Sequence, residues 1–250
     1  MQRNSLYSIA LFGSLLLSPP SFASSDKANW SYEGQEGPAH WGELSNDYAT
    51  CKTGKNQSPI DISNSKPAGL ADIIFNYQAS PIDVVNNGHT IQINYAKGSS
   101  IDVGGKNYKL LQFHFHSPSE HTINGKPYDM VAHLVHQAAD GQLGVIGVLM
   151  KIGKANPVIS SIWANMPKQA GDRNKVDTIV EIIKLLPGNR RYYNYSGSLT
   201  TPPCSEGVNW MVLQNPVEVS ADQVATFTGI FSNSVRPTQP DNGRRIHASK

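Results

Sequence analysis

The sequence predicts a mainly β, single-domain protein with a few short peripheral helices. Most of the chain is a succession of short runs rich in β-branched and aromatic residues, each closed by Gly, Pro, Asn or Asp. Turn dipeptides recur between the runs, at Asn87-Gly88, Gly104-Gly105, Asn124-Gly125 and Asp140-Gly141. Leu143–Ile152 is apolar almost without interruption, as expected of a strand deep inside a large sheet.

Taken in order, residues 1–23 read as a signal peptide rather than as fold. Arg3 supplies a positive start, and Ile9 to Leu17 is apolar apart from Gly13 and Ser14. Pro19-Pro20 follows, and Ser21-Phe22-Ala23 fits a small-x-small cleavage site. That apolar stretch is too short to span a membrane. The expectation is export, with a mature domain over 24–250. The expected strands are 73–77, 82–85, 90–95, 100–103, 108–115, 129–136, 143–151, 191–195 and 208–213. Helical periodicity predicts helices over 156–165 and 176–186. The second carries Val176, Ile179, Val180, Ile183 and Leu186 on one face and stops at Pro187-Gly188. Ser220 is a good N-cap for a third, with Asp222 and Gln223 behind it.

Lys plus Arg (21) nearly balance Asp plus Glu (19), and the basic residues are scattered, so nothing points to nucleic acid. Beyond the leader no segment suits a membrane. Two cysteines, Cys51 and Cys204, in an exported chain favour a disulfide, with separate free thiols as the alternative. Closing so long a loop contributes about 4–5 kcal/mol in the chain-entropy model.

The chemistry begins at Gln112-Phe113-His114-Phe115-His116. In a strand, alternation puts His114 and His116 on one face and Phe113 and Phe115 on the other. Two imidazoles on one side offer nitrogen ligands to a borderline-soft metal, zinc being the usual choice. A second run, Met130–His136, can supply a third histidine if it pairs beside the first. By itself an H-x-H strand is more often a pair of half-buried or surface histidines. Four further segments decide between the readings: Ser117-Pro118-Ser119-Glu120-His121, Ser198-Leu199-Thr200-Thr201-Pro202-Pro203-Cys204, Val85-Asn86-Asn87-Gly88-His89 and Gln57-Ser58-Pro59-Ile60-Asp61-Ile62.

With these motifs in this order, the chain resembles the α-class carbonic anhydrases of exported bacterial type, from Trp30 to about Ile246. The resemblance implies a large, mostly antiparallel twisted central sheet with a conical cleft. It implies Zn²⁺ held by His114, His116 and His133, with water in the fourth position and hydroxide attacking CO₂ to give bicarbonate. Thr200 and Glu120 would orient that hydroxide, because an ionised carboxylate can only accept hydrogen bonds. His89 would shuttle the proton, its ordinary pKa suiting it to both uptake and release. Tyr32, Asn87 and Gln92 would order the water relay. Val135, Val145, Leu199, Thr201 and Trp210 would form the substrate site, and Gln112 would support His114.

The resemblance also implies a Cys51–Cys204 bond anchoring the Thr200 loop, a periplasmic or secreted location, a secondary esterase activity, sensitivity to sulfonamide-type and anion inhibitors, and a homodimer such as bacterial members often form. One departure stands out. The family usually has a glutamate two residues before the third zinc ligand, and Val131 occupies that position. His133 must find another partner. His40, His121, His136 and His247 are read as structural or exposed, none as a ligand.

Overall fold

The strand Lys106–His116 organises the molecule, and the computed structural model, which describes residues 29–250, shows why. Its alternation is realised physically: Phe113 and Phe115 are fully buried in one core cluster, while His114 and His116 lie on the other face. Each such phenylalanine contributes roughly 1.5–3 kcal/mol of burial, which fixes the register and so the histidine face. Met130–Ala138 pairs antiparallel beside it, placing His133 opposite His114, Val131 opposite His116 and Leu134 opposite Phe113.

These two strands sit at the middle of a 13-stranded sheet. On one side lie Ile91–Asn94, Ser80–Asn86 and Arg173–Val180; on the other lie Leu143–Ile152, Glu206–Leu213, Tyr192–Ser198, His247–Ser249 and Lys66–Ala68. Most pairs are antiparallel, as expected, with parallel joins of Leu143–Ile152 to Glu206–Leu213 and to Val217–Val219, and of His247–Ser249 to Lys66–Ala68. The larger core covers the phenylalanine face. A second cluster, with Val131, Val135, Val145, Leu149 and Trp210, lies on the histidine face.

Two helices match expectation in place. Pro157–Trp163 is capped by the Asn156 side chain, and Ala221–Thr228 opens on a Ser220/Gln223 capping box. The helix expected over 176–186 is absent. Arg173–Val180 is instead a strand on the outer edge of the sheet, antiparallel to Ser80–Asn86 with a bulge between Val176 and Ile179, and only Ile182–Leu185 coils, as a 3₁₀ turn. β-Branched residues at 176 and 178–180 suit the strand, and the hydrogen-bonding edge of Ser80–Asn86 outweighs a local helical period. The helical spacing misled: Ile179, placed on the expected apolar face, is 53% exposed rather than packed. The residues read as a signal peptide lie outside those described.

Candidate metal centre

Three imidazoles converge where the two histidine strands meet. The candidate ligand nitrogens of His114, His116 and His133 all lie within 4.8 Å of one another. Neighbouring acceptors decide which nitrogen is free. His114 Nδ1 meets Gln112 Oε1 at 2.9 Å, and His116 Nδ1 donates to the Ser234 carbonyl at 2.6 Å, so each keeps its Nε2 lone pair for a ligand bond. His133 presents Nδ1 to the same side: His116 Nε2 and His133 Nδ1 stand 3.5 and 3.7 Å from one Glu120 oxygen, Oε2. Burial pushes His114 and His133 well below the ordinary imidazole range, and neighbouring histidines push further. Neutral imidazole is the form that ligates a metal.

Glu120 is buried and tied from behind. Its Oε1 accepts the Arg236 backbone N–H at 2.9 Å. The Arg236 guanidinium donates to Gln57 Oε1, the Ser58 carbonyl and the Cys51 carbonyl, all at 2.8–2.9 Å. Burial raises the Glu120 pKa; the nearby His116, the Arg236 N–H, a hydrogen bond with the Thr200 hydroxyl and the Arg236 charge oppose it. That Thr200 interaction is loose, since Oε2 completes no well-formed hydrogen bond. Arg236 sits in a segment without periodicity, next to Pro237. Its part in bracing Glu120 left no signal in the sequence.

Thr200 is buried in a loop held at both ends. Leu199 N donates to the Ser205 carbonyl, Cys204 N donates to the Thr201 carbonyl, and the Cys51–Cys204 disulfide joins the loop to the N-terminal segment. Behind it the Trp210 indole donates to the Ser198 carbonyl at 2.9 Å. Val135, Val145 and Trp210, with Leu199 packed against them, belong to one apolar cluster, and the Trp210 ring lies 4.9 Å from that of His133. The expected apolar wall and the metal ligands are therefore contiguous.

Above them a cleft of about 110 Å³ is lined by Trp30, Tyr32, Asn87, His89, Gln92, Gln112, His114, His116 and Thr201, among others. His89 stacks flat on Trp30, with centroids 3.6 Å apart and planes 8° apart. Burial moves its pKa down from the ordinary value. Trp30 was legible in the sequence only as the start of the resemblance, because a ring stack across 59 positions leaves no local pattern. Asn87 spends its Oδ1 on the His89 and Thr90 backbone N–H groups, building the turn that presents His89. Gln92 donates to Asn94 Oδ1.

The other histidines are structural. His136 is buried on the opposite face; its Nδ1 faces the Gly144 carbonyl at 3.2 Å and its Nε2 the Tyr77 hydroxyl at 2.8 Å. His121 is buried against Tyr195, and His40 lies 3.7 Å from Glu43. Among the described residues, the buried side-chain atoms without a partner are Tyr32 Oη, His116 Nε2, Glu120 Oε2, His121 Nδ1 and His133 Nε2. Native proteins leave few such atoms. Here all five cluster on the histidine face, and a metal bound among the three rings would account for His116 Nε2.

A trio of imidazoles at the floor of a cleft, beside an apolar wall and a buried carboxylate, defines a metal-dependent lyase or hydrolase built on a β-sheet. The comparisons narrow this. Residues 36–250 match the family described as eukaryotic-type carbonic anhydrase, and the chain belongs to that family. Carbonic anhydrase from Pectobacterium carotovorum is 43% identical over 240 residues, spanning 96% of this chain and 97% of that one. Carbonic anhydrase from Neisseria gonorrhoeae is 44% identical, over 93% and 94% of the two chains. The α-carbonic anhydrase from Thermovibrio ammonificans, solved with the inhibitor sulfanilamide, aligns with TM-score 0.86 at 47% identity, covering 89% of this chain and 99% of that one. The protein is a zinc-dependent carbonic anhydrase that interconverts CO₂ and bicarbonate.

Proposed function

We propose that His114, His116 and His133 hold the zinc, through Nε2, Nε2 and Nδ1. The observation that carries this is the convergence of the three ring nitrogens within 4.8 Å, two of them already oriented by acceptors on their far sides. Bound there, zinc supplies the Lewis acidity that makes water a nucleophile near neutral pH, carbonic anhydrase being the type case of that chemistry.

The remaining steps belong to the chain's own groups. Glu120, ionised beside a divalent cation, can only accept, so the Thr200 hydroxyl donates to it. The Thr200 oxygen is then left to accept the nucleophile's hydrogen, and the nucleophile's lone pair is turned toward substrate. CO₂ is apolar, and the wall of Val135, Val145, Leu199 and Trp210 receives it, with Thr201 at the rim. His89 takes the released proton through ordered water on an imidazole nitrogen and passes it to solvent. Tyr32, Asn87 and Gln92 line that route.

The 1–23 leader and the Cys51–Cys204 disulfide support a periplasmic or secreted enzyme, with a mature chain from about Ser24. Sulfonamides and small anions are the inhibitors this site should take, as sulfanilamide does in the Thermovibrio relative. A homodimer follows from likeness to bacterial family members. Stopped-flow CO₂ hydration on the purified protein, with metal analysis, tests the whole reading. It requires one zinc per chain, loss of hydration on chelation and recovery on zinc addition. A fully loaded protein that does not hydrate CO₂ refutes it.

A further inference from the structure

The last strand on one side of the sheet borders a hollow that the metal centre does not use. That strand, Lys66–Ala68, pairs in parallel with His247–Ser249. Beside the pair lies a cavity of about 430 Å³, a volume typical of small-molecule sites. Lys66, Arg245 and His247 all line it, and the strand register sets Lys66 directly beside His247. They come from distant parts of the chain, so no basic motif marks them in the sequence.

The positive charge in this hollow is unmatched. Neither Lys66 nor Arg245 has a carboxylate partner among the described residues. The His247 ring makes no hydrogen bond there, and an imidazole offers at least one N–H in either tautomer. The one acid in the lining, Asp241, is already engaged: its Oδ1 accepts the Gly243 N–H at 3.0 Å, and its charge faces Arg244. Arg244 in turn donates to the carbonyls of Asp241, Ser196, Gln57 and Pro240 at 2.8–3.1 Å. Those bonds fix the wall and take Arg244 out of ligand binding. The wider field has the same sign, since a second hollow beside Ser249 is lined by Arg190, Arg191 and Lys250 against one carboxylate, Asp72.

Pro67, Ala68 and Ile246 supply the apolar part of the lining. A guanidinium, an ammonium and an imidazole N–H beside apolar surface suit an organic carboxylate, because the arginine fork matches two carboxylate oxygens. Pro67 also narrows the class of occupant. Lys66–Ala68 is an open sheet edge, but proline has no N–H to offer an added strand, which argues against a peptide pairing there.

We propose that this cavity is a second binding site, for a small organic carboxylate, separate from the metal cleft. Arg245 takes the carboxylate, Lys66 and His247 add charge and a donor, and Pro67 with Ala68 covers the apolar body. The site owes nothing to zinc, so it stands or falls independently of the hydration reading.

Phenylacetate titrated into the zinc-loaded protein tests this, with sulfanilamide present to occupy the cleft and ¹H–¹⁵N correlation spectra as the readout. Saturable shifts of the Lys66, Arg245 and His247 amides with one binding constant are expected. Arg245→Glu and Lys66→Glu should each weaken binding about tenfold or more, since each replaces a charge-assisted contact by repulsion. CO₂ hydration should stay at the wild-type rate in both. Arg245→Gln and Lys66→Gln serve if circular dichroism shows that charge reversal disturbs the fold. Inorganic phosphate has charge but no apolar body, and should bind about tenfold more weakly than phenylacetate. Shifts that never saturate, shifts that miss these three amides, folded variants that bind as tightly as wild type, or phosphate binding as tightly as phenylacetate would overturn the proposal.

Discussion

His133 and His136 are three residues apart on one strand, yet the two faces they occupy obey opposite rules. On the core side, His136 is enclosed with both ring nitrogens matched, one to a backbone carbonyl and one to a tyrosine hydroxyl. On the cleft side, His133 is just as buried but keeps Nε2 unmatched, and the other unmatched buried side-chain atoms of the described residues gather around it. A core histidine is a finished hydrogen-bonding unit. A site histidine carries capacity held for something else. Unsatisfied polarity, more than burial or histidine content, separates function from packing here.

The largest expected effect breaks the comparison at its centre. His133→Ala should lose zinc and CO₂ hydration together while retaining the fold. Leu134→Ala, the adjacent residue on the opposite face, should cost about 2–5 kcal/mol of stability yet keep its zinc. Metal analysis beside denaturant unfolding separates the two; zinc loss from both would show that the faces are not independent. Glu120→Gln comes next. An amide can donate as well as accept, so the direction of the Thr200 hydrogen bond is no longer fixed, and kcat/KM for hydration should fall about 10²–10³-fold with zinc content unchanged.

His89→Ala should lower kcat on the order of 10²-fold, with added imidazole restoring part of it. Because burial holds His89 below the ordinary imidazole value, the neutral, proton-accepting form persists to lower pH. The acid limb of kcat should therefore lie below the usual position and move up in Trp30→Ala, which uncovers the ring. An unmoved limb would mean that the stack does not set the titration of His89.

The smallest effect belongs to the packed side. Burial brings His136 down to about 4, whereas the unfolded chain titrates near the ordinary 6.5. As pH falls, the unfolded state takes up the proton first. Stability is thus full above about 6.5 and declines by roughly 3 kcal/mol toward pH 4. His136→Phe should flatten that slope by about one proton in urea unfolding across the range.

Legibility in the sequence followed the range of the interactions. His114 and His116 could be read because alternation along one strand is local. His133 could be nominated because a second run of the same kind followed soon after. The helix expected over 176–186 failed because a spacing of apolar residues does not say which backbone edge is open to pair. Arg236, which reaches Glu120, Gln57, Ser58 and Cys51, was invisible for the same reason: its partners lie 116 to 185 positions away in the chain.

The sequence alone determined the β class, the face on which the paired histidines stand and the cap of the helix at 220. Each of these is set by period, side-chain chemistry or a few neighbouring residues. Only the tertiary structure decided that Trp30 would cover His89 and that Arg236 would brace Glu120. Those outcomes depend on which distant surfaces come together when the sheet closes, and a hydrogen bond or ring stack across the fold has no signature in local order.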